Sequence, residues 1–335
     1  MKTRQKVNSG ILLSLLLLSS CAKKELTDSA NIRVRDPFIL VDNESKTYYL
    51  YASRIVKKKD STISLTVGVY VSKDLKMWEK PKTVFEMPDN FWGKKAIWAP
   101  EVHKYKGKYY LFTTFTSTSL LDNPPSMKVP EKWPPYYKRA TQILVAESPF
   151  GPFVPFQNAP HITDEDMTLD GTLWVEDDIP YLIYCHEWVQ IKDGTMNLVA
   201  LEDDLSAIKG TISVLFKASD AQWIRPIKKE GFITDGCYLY RTKTGKLLMI
   251  WSSQGADKYA IGIVESESGK IQGPWKHQKE RLFKKNGGHG MIFKTLEGEL
   301  ALILHQPNFS PKERMQIYKL KDVGHTLRLD GKLNN

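Results

Sequence analysis

Short apolar runs recur along the chain: Tyr48-Tyr49-Leu50-Tyr51, Tyr109-Tyr110-Leu111-Phe112, Tyr181-Leu182-Ile183-Tyr184, Leu247-Leu248-Met249-Ile250 and Leu300-Ala301-Leu302-Ile303. Each is brief, aromatic or branched, and bounded by turn residues, which predicts buried strands rather than helices. Gly-centred turns precede three of them, at Lys106-Gly107-Lys108, Thr244-Gly245-Lys246 and Glu297-Gly298-Glu299, and join each run to an earlier strand. Alternating segments follow at Thr66–Tyr70, Thr141–Val145, Met196–Ala200 and Tyr259–Ile263, the pattern of a half-buried third strand. The units close on a recurrent aromatic position, Trp78, Phe153 and Trp275. Its fixed place predicts packing between units rather than ligand contact. A repeat of roughly 55–70 residues that begins with strands predicts a radial array of sheets. The expected fold is all-β, a five-bladed β-propeller forming a single domain over residues 32–335.

What precedes the repeats is different in kind. Lys2, Arg4 and Lys6 precede an apolar stretch from Ile11 to Leu18, then Ser19-Ser20-Cys21. This reads as a secretory signal over residues 1–20, too short to span a bilayer as an ordinary helix. The Leu18-Ser19-Ser20-Cys21 ending resembles a bacterial lipobox, which implies acylation of Cys21. The expected protein is an exported lipoprotein in the periplasm or on the cell surface, held to the membrane by lipid alone. Residues 21–31 read as a polar tether. The remaining cysteines, Cys185 and Cys237, are expected to be buried free thiols.

The formal net charge is +10, and losing residues 1–20 removes three cations and no acids, leaving +7. Basic clusters such as Lys57-Lys58-Lys59 and Lys284-Lys285 lie in expected loops without interleaved aromatics, which argues against nucleic acid. Acidic glycans or phospholipid headgroups are partners such a surface could meet.

The first strand of each unit opens on a related phrase: Arg35-Asp36-Pro37, Trp98-Ala99-Pro100-Glu101, Leu169-Asp170-Gly171, Thr234-Asp235-Gly236 and Gly288-His289-Gly290. In a propeller these positions meet at the axis. Asp36, Asp170, Asp235 and His289 are therefore expected to converge, with Glu101 looking inward two residues beyond Ala99. Crowded carboxylates raise at least one pKa. Hydrolysis of a glycosidic bond needs that split, one carboxylate ionised to activate water and another protonated to serve the leaving oxygen.

Together these phrases resemble glycoside hydrolase family 43, over about Arg35 to Asn308. The resemblance implies an inverting glycosidase acting on arabinofuranosyl, xylosyl or related bonds of a glycan, without a required cofactor. It implies Asp36 as general base and Asp170 as the acid that orients the donor and sets its pKa. His289 matches an axial histidine that in several members helps hold a calcium ion or a water cluster. Blade four departs from the family: an Asp stands where a Glu-Gly-Pro-like phrase is usual. Asp is one methylene shorter, and a misplacement of about 1 Å can cost about a hundredfold in rate. Either Asp235 or Glu187, in Tyr184-Cys185-His186-Glu187-Trp188, is the expected general acid. Trp98 and Trp188, each beside a candidate acid, are the expected sugar-stacking residues, with Glu101 as a further substrate contact. Trp92 and Trp174 are weaker candidates. The proline-rich Leu120–Tyr137 insertion is expected to shape the pocket rim. A monomer is expected, and a non-catalytic glycan-binding lipoprotein on the same scaffold is the competing function.

Overall fold

A computed structural model describes residues 25–121, 127–163 and 165–333. The expected signal sequence over residues 1–20, Cys21, and Pro124 and Pro125 of the insertion lie outside them. Five antiparallel sheets follow one another along the chain. Their innermost strands are Phe38–Asp42, Ala96–Tyr105, Thr168–Glu176, Asp235–Arg241 and Gly288–Lys294. In blades two to five each sheet runs outward as a meander in which consecutive strands pair, and every blade is built from contiguous sequence. The apolar runs become second strands, buried on both sides between neighbouring blades: Leu50, Leu111, Leu182, Leu248 and Leu302 are all inaccessible. The three Gly-centred turns form where expected, with φ near +85° at Gly107, Gly245 and Gly298.

Blade one departs from the simple meander. Its sheet has six strands, and Leu26–Asp28, read from sequence as tether, pairs with Met77–Glu79 at its outer edge. The recurrent aromatics pack as expected, with Trp78 buried and its indole donating to the Leu75 carbonyl at 3.1 Å. The ring closes without a shared strand. Met291, Phe293, Ala301 and Ile303 of blade five join one apolar cluster with Phe38, Leu50 and Tyr51 of blade one. The Arg33–Glu313 ion pair at 3.0 Å ties the same seam. Cys185 and Cys237 are buried free thiols.

One feature of the inner strands positions the site. In blades two to five the ladder skips near the start of the first strand, so that two residues stand opposite one. These are β-bulges, which re-aim a side chain. The first bulge residue has positive φ each time: Ala99 at 44°, Asp170 at 54°, Gly236 at 35° and His289 at 47°; Asp36 at 50° precedes the first pair of blade one. Non-glycine residues rarely adopt this region, and where the surrounding fold enforces it the strain points to function.

Candidate active site

The bulge register changes the alignment of blade four. The residue at the axial slot is Gly236, and Asp235 stands one residue earlier, in the row of Arg35, Trp98 and Leu169. The Thr234-Asp235-Gly236 phrase mimics Leu169-Asp170-Gly171 in sequence but is shifted by one in space. The reason is steric. A Cβ at Gly236 would fall 2.5 Å from the His289 ring, so no side chain fits that slot. The bare backbone also lets the Gly236 N–H donate to Asp170 Oδ2 at 3.1 Å.

Side chains on second strands fix three slots from the preceding blade. The Asp170 N–H donates to Thr114 Oγ1 at 2.9 Å and the His289 N–H to Ser252 Oγ at 2.8 Å. His305 Nδ1 lies 3.3 Å from the Asp36 nitrogen and 3.2 Å from its Oδ1.

The axial acids converge as expected. His289 Nδ1 stands 3.3 Å from Asp36 Oδ1, 3.7 Å from Asp170 Oδ2 and 3.6 Å from Asp235 Oδ1. Burial opposes a charge on His289, but the three carboxylates override it and push its pKa up to about 10. Asp36 is likewise penalised by burial, yet the His289 charge, the His305 contact and Arg35 hold it below the usual carboxylate range. Asp170, the deepest of the three, is pushed well up, chiefly by burial and then by Asp235 and Asp36, against the pull of His289. Asp235 goes the other way. Burial would raise it, but hydrogen bonds from Asp170, His289 and Tyr259 hold it ionised. Asp170 and Asp235 thus share one proton, and it rests on Asp170.

Donor atoms of Asp170, Asp235 and His289 lie within 4.8 Å of one another. Calcium takes six to eight oxygen ligands. Here two carboxylates face a nitrogen whose proton three acids compete for. Three donor atoms fall short of that shell, so a calcium ion here would draw its remaining ligands from water; without one, the His289 imidazolium is the counter-cation of the set. Removing that cation should therefore be costly. His289→Gln is expected to destabilise the fold by about 3–5 kcal/mol, the usual cost of stripping a buried charge of its partner. The linkage sign is fixed by the raised pKa. The stabilisation is complete below the unfolded value near 6.5 and is lost as pH rises through about 10. Urea unfolding of both proteins between pH 6 and 10 should show the gap narrowing with pH.

Above this cluster opens a cavity of about 750 Å³, lined among others by Asp36, Asp170, Asp235, Glu187, Trp98 and Trp188. Glu187 directly follows the second strand of blade three, Ile179–His186, its N–H donating to the Met167 carbonyl at 2.8 Å. Its carboxylate is buried in a close ion pair with Arg139, whose guanidinium also stacks 4.0 Å from the Trp98 ring centre. Burial raises the Glu187 pKa; Arg139 opposes the rise and the charge of Asp235 adds to it. Trp98 keeps 39% of its surface exposed at the cavity. Trp188 is held edge-on by Trp133 of the proline-rich insertion, 5.0 Å between ring centres.

Glu101 does not reach this cavity. Beyond the bulge its carboxylate is buried deeper along the axis, 3.1 Å from His103 Nε2. The expectation of a substrate contact there is corrected, because Glu101 is buried against His103 and does not line the cavity. Trp92 packs against Phe91 and Phe115 and donates to Gln142 Oε1 at 2.7 Å, and Trp174 lies under Arg241. Neither lines the cavity. Sequence reading missed Arg139, Tyr259 and His305. The one available signal was a polar residue just after an apolar run, as in Leu304-His305.

Comparison with known proteins agrees with this fold. The family model described as glycosyl hydrolases family 43 matches residues 30–325. An endo-arabinase from Bacteroides thetaiotaomicron superposes with a TM-score of 0.77 at 38% identity, covering 89% of this chain and 98% of that one. An endo-1,4-beta-xylanase from the same organism (TM-score 0.67, 19% identity, 90% and 96% covered) and an alpha-L-arabinofuranosidase from Lactobacillus brevis (0.66, 17%, 90% and 96%) share the fold. No curated protein matches the chain.

Proposed function

The chain belongs to glycosyl hydrolase family 43 and is a glycoside hydrolase, and from that premise we propose that it cleaves arabinofuranosyl bonds of arabinan with inversion. One observation carries the reading: Asp36 and Glu187 line a single cavity, with their protonation pushed in opposite directions. Two titratable groups driven apart in this way mark a base and an acid. Water enters between Asp36 and the anomeric carbon. Asp36 takes its proton as the oxygen attacks from the face opposite the leaving group. The C–O bond breaks and the leaving oxygen takes the Glu187 proton. Asp170 keeps its own proton and, with protonated His289, holds the charge beneath the reacting centre nearly balanced. Trp98 and Trp188 offer ring faces to the C–H side of the sugars.

The substrate choice draws on the 38% identical endo-arabinase, matched over nearly its full length. Debranched arabinan should be hydrolysed, and ¹H NMR should show the inverted anomer as the first product. A retained anomer first, or no turnover on any arabinan or xylan, would overturn the reading. A second donor is favoured by one specific feature. Asp235 also lines the cavity and accepts a hydrogen bond from protonated Asp170, so the Asp170 proton could pass through Asp235 to the leaving oxygen.

A further inference from the structure

The cavity wall where blades one and two meet carries positive charge that the protein leaves uncompensated. The other cations at the pocket or directly behind its lining each have an acid. Arg33 meets Glu313 at 3.0 Å, Arg35 Nε lies 3.7 Å from Asp36, and Arg139 pairs with Glu187. Arg54 and Lys95 line the same cavity, and among the described residues neither has a carboxylate within ion-pair distance. Lys95 Nζ sits 3.3 Å above the centre of the Tyr137 ring, which fixes the ammonium without neutralising it.

Arg54 is half-buried on Thr47–Lys57, beside the strand Ile63–Ser72. Its stem passes over Gly68: a Cβ there would lie 2.7 Å from Arg54 Cδ and 3.5 Å from Nη1. The absent side chain gives the arginine its path. A glycine inside a strand costs backbone entropy and often marks a close approach. Here it admits a guanidinium whose head meets no acid. Partial burial of an unpaired cation is unfavourable, and an anion from outside would relieve it.

We propose that this wall binds a carboxylate carried by the glycan, so that the enzyme prefers chains with a uronic acid residue near the cleaved bond. The proposal rests on the glycosidase reading above and adds the charge of its substrate. A guanidinium offers paired N–H donors that match a planar carboxylate, and Lys95 adds a point charge beside it.

The test compares kcat/KM for an arabino-oligosaccharide bearing a uronic acid branch with that for its carboxyl-reduced, neutral counterpart. The charged substrate should be preferred about tenfold at low salt, and the preference should shrink as ionic strength rises. Arg54→Gln, and Gly68→Ala, which keeps the cation but displaces it, should each bring the ratio close to one. Equal rates for the two substrates in the native enzyme, or a preference unchanged in Arg54→Gln, would overturn the proposal. The same pair titrated calorimetrically into Asp36→Asn protein reads the preference without turnover. Failure to hydrolyse either substrate therefore counts against the glycosidase reading, while the binding ratio still decides the charge preference.

Discussion

Asp36→Asn should lower kcat/KM about a thousandfold, and by the same factor on arabinan and on aryl arabinofuranosides. General-base catalysis contributes about 10²–10⁴-fold. The middle of that range is expected because the other acids of the cavity are engaged, Asp235 by Asp170, His289 and Tyr259. Asp170 holds the shared proton, and Glu187 is tied to Arg139. The loss should not depend on the leaving group, since deprotonating water is needed whatever departs. Thermal unfolding is the control, because Asn at 36 also removes a charge 3.3 Å from His289. A native-like midpoint with less than a tenfold kinetic loss would remove Asp36 from the base role. The pH profile supplies a second check. A base works only when deprotonated, so activity should fall at low pH through a value below the ordinary 3.8 of Asp.

Glu187→Gln should behave differently. On arabinan the loss should be about 10²–10³-fold, whereas on an aryl substrate with an acidic leaving group it should be within a few fold, since that oxygen needs little protonation. The alkaline limb should move as well. A general acid works only while protonated, so activity falls as pH rises through the raised pKa of Glu187, and with the aryl substrate the Gln variant should lose that limb. Asp235→Asn, measured on the same two substrates, is the discriminating companion. If Asp235→Asn shows the leaving-group rescue and Glu187→Gln does not, the donor is Asp235. Glu187→Gln also leaves Arg139 buried without its full partner, so a modest drop in stability should accompany it.

The two acids illustrate how far a sequence phrase reaches. Asp36 and Asp170 were legible because each stands at the opening of an inner strand, and the positive φ that both adopt is a local feature. Asp235 carried the same dipeptide as Asp170, Asp-Gly, and was read into the same slot. The ladder put Gly236 there instead, since His289 from the next blade fills the space a side chain would need. Glu101 differs for another reason: it is buried against His103 instead of lining the cavity, a depth that strand alternation does not specify.

The sequence by itself determined the five units, their strands and turns, the buried second strands and the family. These follow from alternation, apolar runs and glycine turns, which act between residues a few positions apart. Only the tertiary structure decided the chemistry of the site. Asp36 is held ionised by His305 and His289 across the closing seam, His305 lying 269 residues away in sequence. Glu187 meets Arg139 from the neighbouring blade, and Arg54, given its path by one glycine, meets no acid among the described residues. A carboxylate's protonation is set by the charges within a few ångströms of it. In a ring of blades those neighbours come from every part of the chain.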